Sequence, residues 1–92
     1  MKKKLSVIIP VYNAEKWIDR CLISLLQQTF QDFEAIIVND GSTDNSLNII
    51  KNYTKIDNRL YCISTENYGS AKAKNLGLSH ASGSIIAFLD SD

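Results

Sequence analysis

Four short polar segments carry the residue types from which a ligand site could be built. Tyr12 and Asn13 follow the apolar run 5–11, Asp40 and Gly41 follow 33–39, Asn67 to Gly69 follow 60–65, and Asp90-Ser91-Asp92 follows 85–89. A carboxylate such as Asp40 can accept from the imide N–H of a uracil ring or from a sugar hydroxyl, and Tyr12 offers a flat face to a base. Asp90 and Asp92, two positions apart, form an oxygen-rich patch suited to a hard divalent ion. Such an ion keeps several waters and binds through one or two carboxylates plus substrate phosphates. Gly69 opens a segment with Lys72 and Lys74 near its first helical turn, where bare N–H groups and lysine suit a diphosphate. Taken singly, each feature also has a plain structural reading: Asp40-Gly41 as a common turn, Tyr12 as a packing residue, the acidic pair as a solvated turn, and the lysines as solvent-facing charges.

The surrounding pattern supplies elements to position these groups. The run 5–12 (LSVIIPVY) is rich in β-branched residues and nearly continuous in apolar character, as a strand covered on both faces requires, and Pro10 should end its regular pairing. Asn13 is the expected N-cap of a first helix, whose apolar face carries Trp17, Ile18, Cys21, Leu22, Leu25 and Leu26. A second strand spans 33–39, and Leu47, Ile50, Tyr53 and Ile56 form the stripe of a second helix. A third strand spans 60–65. A third helix starts near Ser70, carries Ala71, Ala73, Leu76 and Ala81, and stops before Gly83. A fourth, buried strand spans 85–89. The order β-α-β-α-β-α-β predicts a parallel sheet with helices on its faces, and in such sheets ligands bind outside the carboxyl ends of the strands.

Composition narrows the possibilities. The 92 residues are 45% hydrophobic and 22% charged, with ten basic and ten acidic side chains giving a formal net charge of zero. One domain with one core is feasible at this length. Balanced charge removes the electrostatic footprint of a nucleic-acid binder. No run approaches the ~18–20 apolar residues of a membrane span. Lys2 to Lys4 followed by a short apolar run ending in Pro10 reads as a solvated start to a strand rather than a secretory signal. Cys21 and Cys62, far apart and within apolar stretches, read as buried thiols of a reducing compartment, so a cytoplasmic setting is expected. His80 falls near the end of the third helix, where a cation complements the dipole and faces away from the crevice. A flavodoxin-like or dinucleotide-binding protein is disfavoured, because Pro10-Val-Tyr-Asn13 stands where a GxGxxG would follow the first strand.

The segments SVIIPVYNAEKWIDRCLISLLQQTF, IIVNDGSTDNS and ENYGSAKAKNLGLSHASGSIIAFLDSD, in this order and spacing, resemble the N-terminal nucleotide-binding half of family 2 glycosyltransferases with the GT-A fold. The resemblance covers the whole chain. It implies a Rossmann-like three-layer α/β/α half-domain, with four mainly parallel strands in the order 3-2-1-4 and three helices, and residues 1–92 as a nucleotide-sugar-binding subdomain. It further implies that Pro10, Tyr12 and Asn13 line the base pocket and that Asp40 recognises the base, usually uracil. Asp90 and Asp92 would form a DxD motif meeting the ribose and a Mn²⁺ or Mg²⁺ that bridges the diphosphate. The helix after Gly69 would bring a basic residue to the phosphates. Here Lys74 precedes Asn75 where many relatives carry Arg, keeping the charge without the planar fork, and Lys72 is an alternative donor.

The implied reaction is transfer of a sugar from a UDP-sugar to an acceptor hydroxyl with inversion, in polysaccharide or related glycan assembly, on a glycan or lipid-linked acceptor. In a full-length protein it could run at the inner face of the membrane. Family members continue beyond the DxD motif with an acceptor-binding half that supplies an aspartate base. A chain ending at Asp92 is therefore expected to bind donor without turning over. From another class comes an interaction module, because a last strand lacking its usual neighbour presents an apolar edge for self-association.

Overall fold

Runs of β-branched residues become strands where the sequence places them: β1 (Leu5–Val11), β2 (Phe33–Asp40), β3 (Leu60–Thr65) and β4 (Ile85–Phe88). Between them lie α1 (Ile18–Gln27), α2 (Ser46–Ile56) and α3 (Ser70–Ser79). The structure, a computed structural model, describes residues 3–91; Met1, Lys2 and Asp92 lie outside the described residues. All strand pairs are parallel and the order is β3-β2-β1-β4, the α/β half-domain that the alternation and the resemblance imply.

Register sorts the side chains into two layers, since successive residues of a strand point to opposite faces. Val7, Ile9 and Val11 of β1 and Ala35 and Ile37 of β2 pack beneath α1 and α2 with Ile18, Leu22, Leu25 and Ile50. Ile8, Ile36 and Val38 face the other way, against Ala73 of α3. β2 is buried along its whole length, so its continuous apolar sequence reflects cover on both faces. At the amino end of the sheet, buried Glu34 accepts from the Ser6 hydroxyl at 2.6 Å, the Ser82 N–H at 2.7 Å and the Ser82 hydroxyl at 2.9 Å. These bonds tie the segment before β4 to the sheet.

Several expectations change on inspection. α1 begins at Ile18 rather than after Asn13, and Asn13 does not cap it. Asn13 lies in the left-handed region at φ 50°, and a short turn in which the Ala14 carbonyl accepts from the N–H groups of Trp17 and Ile18 leads into the helix. Ile56 is 76% exposed and outside the core. In α3 the buried positions are Ala73 and Gly77, whereas Ala71 is exposed; α3 ends at Ser79, and Ala81 packs from beyond it. β4 is not a buried strand: it pairs with β1 alone among the described residues, and Ile85 and Phe88 are about half exposed. Cys21 and Cys62 are free and only partly buried. No helix is long and apolar enough to cross a membrane among the described residues.

Candidate functional site

Parallel strands bring the segments that follow β1, β2, β3 and β4 to one end of the sheet. There, Asp40, the last residue of β2, is 4% exposed yet charged. Its Oδ1 accepts from the Thr65 hydroxyl and the Tyr68 N–H, both at 2.6 Å, and its Oδ2 accepts from the Gly69 N–H at 2.9 Å. Burial pushes this carboxyl up, but the Thr65 hydroxyl and the N–H groups of Tyr68 and Gly69 outweigh it and hold the group below the ordinary carboxylate range. Asp40 thus buckles the end of β2 to the β3–α3 loop at the entrance to α3, where the helix dipole also favours an anion.

Two glycines make this approach possible. Gly41 sits at φ 76°, and a Cβ there would lie 2.7 Å from the Asn67 backbone nitrogen. Gly69, at φ 98°, turns the chain into α3 while its N–H reaches Asp40. With Oδ1 holding two donors and Oδ2 one, Oδ2 keeps acceptor capacity towards a ligand.

Around Asp40 opens a hollow of about 240 Å³. Pro10, Tyr12, Asp40, Lys74 and Asp90 all line it, which gathers residues from four separate segments. Tyr12 is 51% exposed. Asn13, Gly69 and Lys72 stand outside the lining. Asn13 turns its side chain to the neighbouring loop, its Oδ1 accepting from the N–H groups of Thr43 at 2.8 Å and Asp44 at 3.3 Å. Lys72 holds its Nζ 5.9 Å from the Tyr68 ring centre, and Lys74 holds its own at the same distance from Phe88 while lining the hollow. Asp92 lies outside the described residues.

The hollow is also lined by residues that sequence reasoning did not place in a site, Trp17 and Ser70 among them. Trp17 fits the apolar face of α1 by spacing, yet it stands just before the helix and is 45% exposed. The available signal was its place directly after the turn that ends β1. Trp17, Asp90 and Ser91 also border a second, more apolar hollow of about 470 Å³ against α1. There the Cys21 thiol points to the Asp90 carbonyl at 3.8 Å.

The donor set can be tested against a divalent cation. Asp90 is exposed and faces the hollow, and no cluster of three or more His, Cys, Asp or Glu side chains poised for a metal exists among the described residues. A single exposed carboxylate facing the hollow suits a hard ion that is completed by water and phosphate oxygens. An aromatic ring, a buried carboxylate, a lysine and an exposed carboxylate around one strand-end hollow stand where open parallel α/β sheets place their ligands.

Comparison with known proteins supplies the family. Residues 6–92 match Glycosyl transferase family 2, and the chain belongs to this family. It is 45% identical over 89 residues to glycosyltransferase GlyA of Streptococcus pneumoniae, covering 97% of this chain and 13% of that protein. Among solved structures, TarS 1-349 of S. aureus in complex with UDP-GlcNAc is 40% identical with a TM-score of 0.89, over 97% of this chain and 26% of that one. The mannosyltransferase PcManGT of Pyrobaculum calidifontis, in complex with GDP-Man and Mn²⁺, is 26% identical with a TM-score of 0.90, over 100% of this chain and 28% of that one. The chain therefore spans well under half the length of each of these proteins.

Proposed function

We propose that this chain is the donor-binding subdomain of an inverting glycosyltransferase and that it binds a UDP-sugar together with Mn²⁺ or Mg²⁺ in the hollow at the strand ends. The observation that carries this reading is the convergence of Tyr12, Asp40, Lys74 and Asp90, from four segments, on one hollow. At about 240 Å³ the hollow falls below the ~300–1,000 Å³ typical of enclosing ligand pockets. It suits the base and part of the diphosphate of a donor that extends beyond it.

Roles follow from chemistry. The Tyr12 ring receives the base by stacking, and Asp40 Oδ2 accepts its imide N–H. Lys74 approaches the diphosphate as a point charge, and Asp90, with Asp92, holds the cation. When bound, a divalent cation neutralises charge developing on the departing diphosphate. In an inverting transfer the acceptor oxygen forms a bond to the anomeric carbon as the bond to the diphosphate breaks, and a base removes the hydroxyl proton. Asp40 spends its remaining acceptor capacity on the nucleobase, and His80 caps the far end of α3, its Nδ1 against the Leu76 carbonyl at 3.1 Å. Neither suits the role of base, and on this reading the base comes from outside the donor-binding subdomain, so the chain alone binds donor without transferring sugar. The binding of UDP-GlcNAc by TarS and of GDP-Man with Mn²⁺ by PcManGT supports the donor class. Free thiols at Cys21 and Cys62 fit a cytoplasmic setting.

Titration calorimetry tests the reading: the chain should bind UDP with Mn²⁺ present and far more weakly with chelator. No heat with Mn²⁺, or sugar transfer by the chain alone, contradicts it. A second reading, self-association along β4, is favoured by the half-exposed Ile85 and Phe88. It predicts that Phe88→Lys lowers the light-scattering mass at high concentration, and a strictly monomeric parent chain refutes it.

A further inference from the structure

The β1–α1 loop, which contributes Tyr12, Ala14 and Trp17 to the hollow, has almost no hydrogen bonds of its own before the turn into α1. Its consecutive N–H groups instead go to side chains of the β2–α2 loop. Asn13 donates to Ser42 Oγ at 3.0 Å, Ala14 to Ser46 Oγ at 2.8 Å, and Glu15 to Asp44 Oδ2 at 3.1 Å. Asn13 Oδ1 returns the exchange by accepting from Thr43 and Asp44. The far oxygen of Asp44, Oδ1, accepts from the Ser46 N–H at 2.9 Å, and Ser46 is fully buried. Asp44 therefore holds both ends of this ladder, through one oxygen to the β1–α1 loop and through the other to the start of α2. The ladder continues into the site, because the Ala14 carbonyl accepts from the Trp17 N–H at 2.9 Å.

From this geometry we infer that Asp44, acting with Ser42 and Ser46, is a positioning residue that fixes Tyr12 and Trp17 as walls of the hollow. It touches no ligand. A carboxylate serves because its two charged oxygens take one N–H from the β1–α1 loop and one from the start of α2 without sharing an acceptor. Without it, the loop samples conformations in which the two rings leave the hollow, and apparent affinity falls by the fraction of time the walls are in place.

The test uses Asp44→Ala and Asp44→Asn in the 92-residue chain, with Ser6→Ala as control, since Ser6 belongs to the Glu34 cluster at the opposite end of the sheet. The ligand arm rests on the donor-binding reading; a second arm does not. Trp17 is the sole tryptophan, so acrylamide quenching reports it directly, without ligand. Freeing a ring that is 45% exposed should raise its quenching constant about twofold. Asp44→Ala is expected to show that rise and to weaken UDP binding with Mn²⁺ about tenfold. Asp44→Asn, which keeps one acceptor oxygen, should fall between Ala and the parent. Ser6→Ala should lower the melting temperature and leave both readouts unchanged. The inference is overturned if Asp44→Ala lowers the melting temperature but leaves Trp17 quenching at the parent value. Should Asp44→Ala fail to fold, Asp44→Asn decides by the same criterion. Should the parent chain bind no UDP, the donor reading fails and the quenching arm alone decides this one.

Discussion

Asp40→Asn keeps the size of the side chain and removes its charge and one of its two acceptor oxygens. Three donors now converge there: the Thr65 hydroxyl, the Tyr68 N–H and the Gly69 N–H. The amide oxygen can replace Oδ1 and hold the first two, which turns the amide NH₂ towards the Gly69 N–H. One mismatched donor costs about 1–3 kcal/mol where it is fully buried, and less here because the loop is partly wet. The two remaining bonds lose their charge assistance. A net loss of about 2 kcal/mol follows, which for a domain near this size lowers the melting temperature by roughly 8–16 °C. Circular dichroism melts at pH 7 measure it. A shift below about 2 °C with native secondary structure retained would refute the view that Asp40 anchors the β3–α3 loop. A clear shift with unaltered UDP affinity would reduce Asp40 to a structural role.

Acid should loosen the molecule. Glu34, Asp40, Asp44 and Asp57 are all held below their ordinary range: burial opposes this at the first three, the hydrogen bond from Arg59 leads at Asp57, and their donors prevail in each case. Their folded-state values lie below the unfolded ones, so the stabilisation is present at neutral pH and is lost as pH falls from about 4 through the depressed values; melts that do not weaken between pH 5 and pH 3 would contradict it. Gly77→Ala should destabilise by about 1–3 kcal/mol despite the better helix propensity of alanine, because a Cβ would stand 2.6 Å from Ile8 Cγ2 and 3.2 Å from Val38 Cγ2. A urea midpoint at or above the parent value would show that α3 can move off the sheet. Ile56→Lys, at a 76% exposed position, should change stability by less than about 0.5 kcal/mol, and a large loss in urea denaturation would restore Ile56 to the core.

The strands were legible because their physics is local. Continuous β-branched runs set β3 at the expected residues and β2 gains only Asp40, whereas β1 ends at Val11 and keeps its register with β2 through Pro10, where the sequence predicts that pairing stops. Alternation of elements was enough for the parallel sheet and for the common end at which Tyr12, Asp40, Lys74 and Asp90 meet. What sequence could not carry was the choice of long-range partners. Asn13 has the chemistry of a helix cap, but the donors it satisfies, Thr43 and Asp44, lie in another loop, and α1 starts later as a result. The ligand-seeking look of Asp40 concealed its bonds to Thr65, Tyr68 and Gly69. Trp17 had the spacing of a core residue and the position of a site residue, and only the late start of α1 separates the two. Gly77 carries no hydrophobic signal, yet its missing Cβ is what lets α3 approach Ile8.

The donor-site account is tested most directly by amide NMR of the chain titrated with UDP and then with trace Mn²⁺. It predicts shift changes confined to the segments around Tyr12, Trp17, Asp40, Gly69 and Lys74, followed by paramagnetic broadening centred on Asp90 and Ser91. Shifts scattered over the helices, or broadening centred on Glu34 at the opposite end of the sheet, would contradict it.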